Sequence, residues 1–228
     1  MVDEKKVRES FLKAISKTFK AYNKNGARSN KKLIPIHKWF AKYLESALGR
    51  EYVIRGLGNG GEAKLIGKYY PKNLDISVLK DDKIITTISF KFVTSNYKQN
   101  ANNYFENILG ETANIRRVNV GFAHFLVLRA KTPYYIKNSG NLRGKTIKIE
   151  TINNRDLSKY INLFRDNDFP HKPDVLGISV LDFDKIGNPS VANLKNLGIS
   201  EENSNFLNSE LELNKFLNRF VALCKLKS

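Results

Sequence analysis

An aspartate, a serine and a lysine are spaced so that two adjacent strands would bring them together. Apolar and polar residues alternate over residues 74–79 and again over residues 87–92, with a polar DDK turn between the two runs. Period-two alternation predicts two strands that each bury one face, so the pattern predicts a hairpin. If the turn centres on its middle residue, Asp75 lies roughly opposite Ser89, and Lys91 shares their face of the hairpin.

A carboxylate, a hydroxyl and an ammonium on two rigid strands could assist the hydrolysis of a phosphodiester. This reaction requires stabilisation of charge at phosphorus, an activated water and assistance to the leaving oxygen. Hard divalent cations perform this work and prefer oxygen ligands. The competing interpretation is structural, because Asp75 and Lys91 could form an ordinary cross-strand ion pair.

The segment after the hairpin predicts a helix that could add a second carboxylate to the cluster. Its apolar stripe has helical spacing and consists of Ala101, Tyr104, Phe105, Ile108, Leu109 and Thr112. Glu106 lies at the edge of this stripe, and Glu111 is the rival acid. The two are five residues apart, which places them about 140° apart around a helix, so only one should face the hairpin.

This strand–turn–strand–helix stretch resembles the PD-(D/E)xK nuclease superfamily, and type II restriction endonucleases in particular. The family pattern is an aspartate on one strand followed by acid-x-Lys on the next. Here Pro71 precedes Asp75 with three residues between them, and the second motif reads Ser89-Phe90-Lys91. A subgroup of the family has S-x-K and carries the missing glutamate on the following helix. Glu106 lies fifteen residues beyond Lys91, and this spacing favours Glu106 over Glu111.

The resemblance implies a role for each site residue. Asp75 and Glu106 would bind Mg²⁺, with Glu62 as a possible additional carboxylate ligand. Ser89 would hold a water at the metal, and Lys91 would orient or deprotonate the attacking water or offset charge on the phosphorane. The implied enzyme is a homodimeric, Mg²⁺-dependent type II restriction endonuclease that cuts double-stranded DNA at a short specific sequence and leaves 5′-phosphates. The alternatives are a repair or junction nuclease of the same superfamily and a non-catalytic nucleic-acid-binding protein.

Composition independently indicates a polyanionic partner. The chain has 228 residues with 39 Lys and Arg against 22 Asp and Glu, a formal net charge of +17. Such an excess favours nucleic acid first and an anionic membrane surface second. No apolar run approaches the roughly 18–20 residues that span a bilayer, the N-terminus has no apolar signal region, and Cys224 is the single cysteine. We therefore expect a cytoplasmic, prokaryotic-type protein without a membrane segment or an organic cofactor.

Two further stretches combine side chains that suit DNA. Asparagines at helical spacing line a second face of the predicted helix, and residues 129–148 mix basic side chains with tyrosines. Asn reads adenine edges, and Lys and Arg bind phosphate or guanine, although a solvated polar surface explains both stretches equally well. The predicted DNA contacts are Tyr97, Lys98, Asn100, Asn103, Asn107, Lys131, Tyr134, Lys137 and Arg143.

The remaining pattern predicts an α/β (α+β) fold, a restriction-endonuclease-like mixed sheet flanked by helices. We expect one nuclease domain over residues 1–228, with a helical part over about 1–50, a catalytic core over about 51–185 and a C-terminal helix over about 209–226. The apolar run at residues 120–128 predicts a central strand buried on both faces. His124 lies within that run, and we interpret it as a hydrogen-bonded core residue.

Overall fold

A computed structural model describes residues 3–25, 29–135, 146–167 and 171–228. Within these ranges the chain forms six α-helices, a six-stranded mixed sheet and two two-stranded sheets. The helices are α1 (Glu4–Asn25), α2 (Ile34–Leu48), α3 (Tyr97–Arg116), α4 (Asn154–Arg165), α5 (Glu201–Glu210) and α6 (Leu213–Lys227). The strands are β1 (Tyr52–Gly56), β2 (Ala63–Ile66), β3 (Pro71–Leu74), β4 (Ile76–Lys80), β5 (Lys83–Val93), β6 (Gly121–Arg129), β7 (Lys131–Tyr135), β8 (Thr146–Thr151), β9 (Val175–Phe183) and β10 (Pro189–Val191).

The main sheet has the order β1-β4-β5-β6-β9-β10. The pairs β1/β4, β4/β5 and β9/β10 are antiparallel, whereas β5/β6 and β6/β9 are parallel. Helix α3 connects β5 to the parallel strand β6, as such a crossover requires. The prediction of a mixed α and β fold with a mixed sheet and flanking helices is confirmed at this level.

The predicted hairpin is β4–β5. Its two central turn residues, Asp81 and Asp82, have φ values of 48° and 58°, the left-handed conformation that a two-residue hairpin turn favours and that Asp tolerates. The ladder pairs Ile76 with Ile88, so the register continues towards Asp75 beside Ser89. This register depends on a β-bulge between Val78 and Leu79, because the two-residue turn alone would place Asp75 opposite Ile88.

Helices cover the main sheet on both faces. One face of the sheet packs against α1, α2 and α6, and the other packs against α3, α4 and α5. Strand β6 is buried over eight of its nine residues, which confirms the predicted central strand. Because side chains alternate along a strand, Ser89, Lys91 and His124 all fall on the α3 face, opposite Phe90 and Phe125.

The C-terminal region contains two helices instead of the single predicted one. Helix α5 ends at Glu210 and α6 begins at Leu213. Glu212 caps α6, since its carboxylate accepts from the backbone N–H groups of Asn214 and Lys215. A capping acid between two apolar runs marks a helix start, and the sequence reading missed this signal. In the described ranges, no helix has the length and apolarity that crossing a membrane requires.

Candidate active site

Asp75 is fixed at the junction between β3 and β4. Its Oδ2 accepts a hydrogen bond from the backbone N–H of Phe90 at 2.9 Å. The carboxylate therefore lies against the segment of β5 that carries Ser89 and Lys91 on either side of Phe90. The predicted meeting of Asp75 with the S-x-K motif is confirmed.

The second carboxylate in the cluster belongs to Glu111, and the placement predicted for Glu106 is wrong. Ser89 Oγ donates to Glu111 Oε2 at 2.9 Å, whereas Glu106 is exposed on another side of α3. The reason is the phase of the helix. Glu111 lies three residues after Ile108 and four before Ile115, which are 1% and 0% exposed, so Glu111 falls on the stripe that faces the sheet.

A lysine that the sequence reading did not select completes the charged cluster. The Lys72 ammonium on β3 forms an ion pair with Glu111 Oε1. Burial alone would raise the pKa of Glu111, but the Lys72 ammonium and its hydrogen bond lower it overall. Glu111 is therefore held ionised in the protein before any metal is considered.

Asp75 has the opposite electrostatic environment. Burial raises the pKa of its carboxyl to about 7, and the nearby negative charge of Glu111 adds to this effect against the hydrogen bond from Phe90. Glu62 is half-buried, and burial likewise raises its pKa, while the Lys72 ammonium acts in the other direction. Two or three acids thus compete for one ammonium, an arrangement that a divalent cation would relieve.

Lys91 lies at the mouth of the cleft. Its side chain is exposed, and Nζ lies 5.2 Å from the centroid of the Tyr104 ring, within the range of a cation–π contact. Among the described residues no carboxylate forms an ion pair with Lys91, so the alternative of an Asp75–Lys91 cross-strand pair does not hold here. The ammonium is available to a ligand in the cleft.

His124 lines the same cleft, which the sequence reading did not anticipate. It is 4% exposed and pairs with Ser89 in the parallel ladder of β5 and β6. Burial lowers its pKa to about 4, against the charge of Glu111, so the ring is neutral. Neither ring nitrogen has a hydrogen-bond partner among the described residues. His124 is buried as expected but lacks the expected hydrogen bond to a described residue. Its place beside Ser89 follows from the register between β5 and β6, which the sequence does not reveal.

All of these residues except Glu62 line one cleft of about 300 Å³. Its lining comprises Asn30, Lys32, Leu33, Lys72, Asp75, Ser89, Phe90, Lys91, Phe92, Tyr104, Asn107, Glu111 and His124. The short 3₁₀ segment Asn30–Leu33, which follows α1, contributes Asn30, Lys32 and Leu33 to the lining of the cleft.

The residues predicted to contact DNA on α3 fall into two groups. Tyr97 is fully buried and donates from its hydroxyl to the Asp156 carbonyl at 3.4 Å, so its predicted DNA contact is wrong. Lys98 is ion-paired with Asp156, and Asn100 Nδ2 donates to the Asn96 carbonyl at 3.0 Å, so local contacts engage both.

Two asparagines and two residues of β7 remain accessible. Asn103 and Asn107 are exposed on α3, and Asn107 lines the cleft. Lys131 is exposed on β7, where Tyr134 is half-buried with Lys148 Nζ 5.2 Å from its ring centroid. The predicted contacts Lys137 and Arg143 lie outside the described residues.

The cleft fits a hard divalent cation in the kind of donors that it offers. In the described part of the chain, no three His, Cys, Asp or Glu side chains form a ready-made metal cage. Mg²⁺ does not need one, because it retains several waters and is bound through one or two carboxylates together with substrate phosphates. Asp75 and Glu111 supply two carboxylates, and the Ser89 hydroxyl lies beside them.

The cleft therefore brings together two carboxylates, an exposed ammonium and a neutral imidazole. Comparisons of the chain with protein-family models, curated proteins and solved structures found no match.

Proposed function

We propose that this chain is a Mg²⁺-dependent endonuclease of the type II restriction class, with a restriction-endonuclease-like fold and a variant PD-(D/E)xK site. The observation that carries the proposal is the convergence of Asp75 and Glu111 on the Ser89-Phe90-Lys91 segment within an accessible cleft. The net charge of +17 supports a nucleic-acid substrate. In the S-x-K pattern, Glu111 then takes the role expected of Glu106.

Each residue of the cleft has a defined task in this proposal. Asp75 and Glu111 would hold Mg²⁺, which when bound supplies positive charge to the phosphoryl group. Ser89 orients Glu111 by donating to Oε2, which leaves Oε1 to Lys72 or to the cation. Asp75 binds a cation in its ionised form, so a proton and the cation would compete for this carboxylate, whose pKa is raised to about 7 by burial.

Lys91 and His124 would act on the water and the phosphate. The Lys91 ammonium can orient the attacking water or offset charge on the phosphorane, and both roles suit its exposed position beside Tyr104. The His124 ring is neutral, and neither of its nitrogens has a hydrogen-bond partner in the part of the chain that the structure describes. It can therefore accept a hydrogen bond from a water in the cleft, which makes it a positioning residue.

The restriction reading also implies an assembly and a product. We propose a homodimer that binds a palindromic site and leaves 5′-phosphates, as restriction enzymes of this type do. Of the predicted DNA contacts within the described residues, Asn103, Asn107 and Lys131 are exposed and Tyr134 is half-buried.

The decisive experiment is digestion of a long, sequenced, unmethylated DNA with Mg²⁺ or with EDTA. We expect discrete fragments with Mg²⁺ and intact DNA with EDTA. Cleavage confined to branched or damaged DNA would favour a repair or junction nuclease instead. Equal DNA binding in both buffers without any nicking would identify a non-catalytic binding protein and overturn the proposal.

A further inference from the structure

The turn between β2 and β3 exposes large apolar side chains beside the cleft. Ile66 is 70% exposed, Tyr69 64% and Tyr70 44%. Lys64 and Lys68 are also exposed on this hairpin. Single exposed apolar residues are common, but three within five positions, rimmed by lysines, are typical of an interaction surface. We call residues 64–70 the hairpin tip.

A single buried asparagine holds the hairpin tip in place. Asn114 of α3 is 0% exposed, and its Oδ1 accepts from the backbone N–H groups of Tyr69 and Tyr70 at 2.8 and 3.2 Å. Its Nδ2 donates to the Tyr70 carbonyl at 3.0 Å, and its backbone carbonyl accepts from the N–H of Lys68 at 2.9 Å. A Cβ on Gly67 would lie 2.3 Å from Asn114 Nδ2, so the turn fits closely around the amide.

The hairpin tip is rigidly connected to the candidate catalytic residues. Strand β3 leads directly from Tyr70 to Lys72 and then to Asp75. Helix α3 carries Asn114 three residues after Glu111, nearly one turn along the helix. The same two elements therefore position both the carboxylates and the exposed tyrosines, which ties the hairpin tip to whatever occupies the cleft.

We propose that the hairpin tip binds the DNA duplex next to the scissile phosphate, with the tyrosines against sugars and bases and the lysines on phosphates. This inference rests on the proposed function. Tyrosine suits such a contact because its ring covers apolar sugar and base surface while its hydroxyl reaches phosphate oxygens. A rigid turn also lowers the entropy lost on binding, since the exposed side chains are already held by an ordered backbone.

Charge favours DNA over a second copy of the chain as the occupant. A symmetric dimer contact would bring the same patch of both subunits together, and Lys64 and Lys68 would then face their own copies. The overall charge of +17 adds to this repulsion. The phosphate backbone instead attracts these lysines, with release of counterions.

The test compares two double variants on a fluorescein-labelled, 40-base-pair mixed-sequence duplex, with Ca²⁺ in place of Mg²⁺ to prevent cleavage. Tyr69→Ala/Tyr70→Ala removes the rings from the hairpin tip. Ile186→Ala/Leu226→Ala is the matched control, because these side chains are 74% and 80% exposed and lie outside the cleft. We expect the tyrosine variant to bind about tenfold to a hundredfold more weakly, as for loss of aromatic side chains that are buried in an interface, and the control to bind within about twofold of wild type.

A charge variant gives a second, independent reading. Lys64→Gln/Lys68→Gln should reduce the slope of log K against log salt by about 2, as expected for two lost phosphate contacts. The tyrosine variant carries the same charge as wild type and should keep the wild-type slope.

Three results would overturn the inference. The first is wild-type DNA affinity in both the tyrosine and the lysine variants. The second is a tyrosine variant that sediments as a monomer where the wild type sediments as a dimer, while its DNA affinity per protomer is unchanged. The occupant of the hairpin tip would then be a second copy of the chain. In either case metal-dependent cleavage by the wild type would leave the proposed function standing. The third is a wild-type protein that neither binds nor cleaves duplex DNA, which would overturn both.

Discussion

Replacement of Asp75 by Asn should make the metal-free protein more stable while abolishing cleavage. The Asn amide oxygen can still accept the hydrogen bond from the Phe90 N–H, which Asp75 Oδ2 accepts at 2.9 Å. The substitution therefore removes a charge and leaves the size of the side chain almost unchanged. Cleavage is lost because a neutral amide cannot replace the carboxylate in binding Mg²⁺.

The size of the stability gain follows from the pKa of Asp75. Its ordinary value is 3.8, and burial with the nearby Glu111 raises it to about 7 in the folded protein. Because the folded pKa is the higher one, the favourable contribution is complete below pH 3.8 and is lost as the pH rises to about 7. The loss reaches about 2 kcal/mol at pH 5 and about 4 kcal/mol at pH 8, since each pKa unit corresponds to about 1.4 kcal/mol.

Urea unfolding in EDTA at several pH values between 5 and 8 measures this difference directly. We expect the stability of Asp75→Asn relative to wild type to increase by about 2–3 kcal/mol across that range. Other titrating groups are common to both proteins and largely cancel in the comparison. Glu106→Gln is the control, because it removes an exposed acid on the same helix as Glu111. Parallel stability curves for wild type and Asp75→Asn would refute the argument that the buried carboxylate is poised to be neutral.

Three further predictions test the site and its support. Glu111→Gln should slow single-turnover plasmid cleavage by orders of magnitude and Glu106→Gln by less than about threefold; the reverse order would mean that the wrong acid was selected. His37 is fully buried, and burial lowers its pKa from 6.5 to about 4. The stability that the neutral ring contributes above pH 6.5 should therefore decrease by about 2 kcal/mol at pH 5. In urea titrations His37→Asn should show a correspondingly smaller decrease. Asn114→Ala should destabilise the protein by about 1–3 kcal/mol and speed hydrogen exchange of the hairpin-tip amides, whereas the exposed Asn103→Ala should do neither.

The strand half of the candidate site could be predicted from sequence because its determinants are local. Alternation specifies which side chains share a face. The two-residue turn at Asp81 and Asp82 pairs Lys80 with Lys83, and this turn alone would set Asp75 opposite Ile88. A β-bulge between Val78 and Leu79 shifts the register by one residue and brings Asp75 beside Ser89, so the prediction, which assumed a turn centred on Asp82, reached the observed register through a bulge that the sequence pattern did not show. The central strand β6 could likewise be predicted from its nearly continuous apolar run.

The helix half could not be predicted, since it depends on how α3 docks against the sheet. The apolar stripe correctly identified a helix, but Tyr104 and Phe105 in that stripe are only partly buried, whereas Ile108 and Ile115 are buried fully. This difference rotates the sheet-facing side of α3 towards Glu111. Sequence spacing could not decide between Glu106 and Glu111, because the apolar stripe of α3 is broad and each glutamate lies next to one of its edges.

The asparagine stripe on α3 shows the same limit. Helical spacing grouped five asparagines, namely Asn96, Asn100, Asn103, Asn107 and Asn114. The fold gives them different environments. Asn96 accepts from the Tyr135 N–H at 3.3 Å, Asn114 holds the hairpin tip, and Asn103 and Asn107 are exposed. Partners of this kind are distant in sequence, so no local pattern distinguishes a structural amide from one that is available to read a base.

The charges of the cleft explain why two lysines are needed where the motif names one. Asp75 and Glu111, when both are ionised, carry two negative charges, and Lys72 and Lys91 balance them. Lys72 is bonded to Glu111 and stabilises the metal-free cleft, whereas Lys91 lies at the mouth without a carboxylate partner in the described ranges. With a divalent cation between the carboxylates, these four side chains and the cation would sum to two positive charges, and Lys32, which also lines the cleft, would add a third. In the proposed reaction that surplus would attract a phosphodiester, and it would also offset the second negative charge that forms on the phosphoryl group as the water attacks. Without Lys72 the surplus would be smaller by one charge after the cation bound, and the two acids would repel each other more strongly in the absence of the cation.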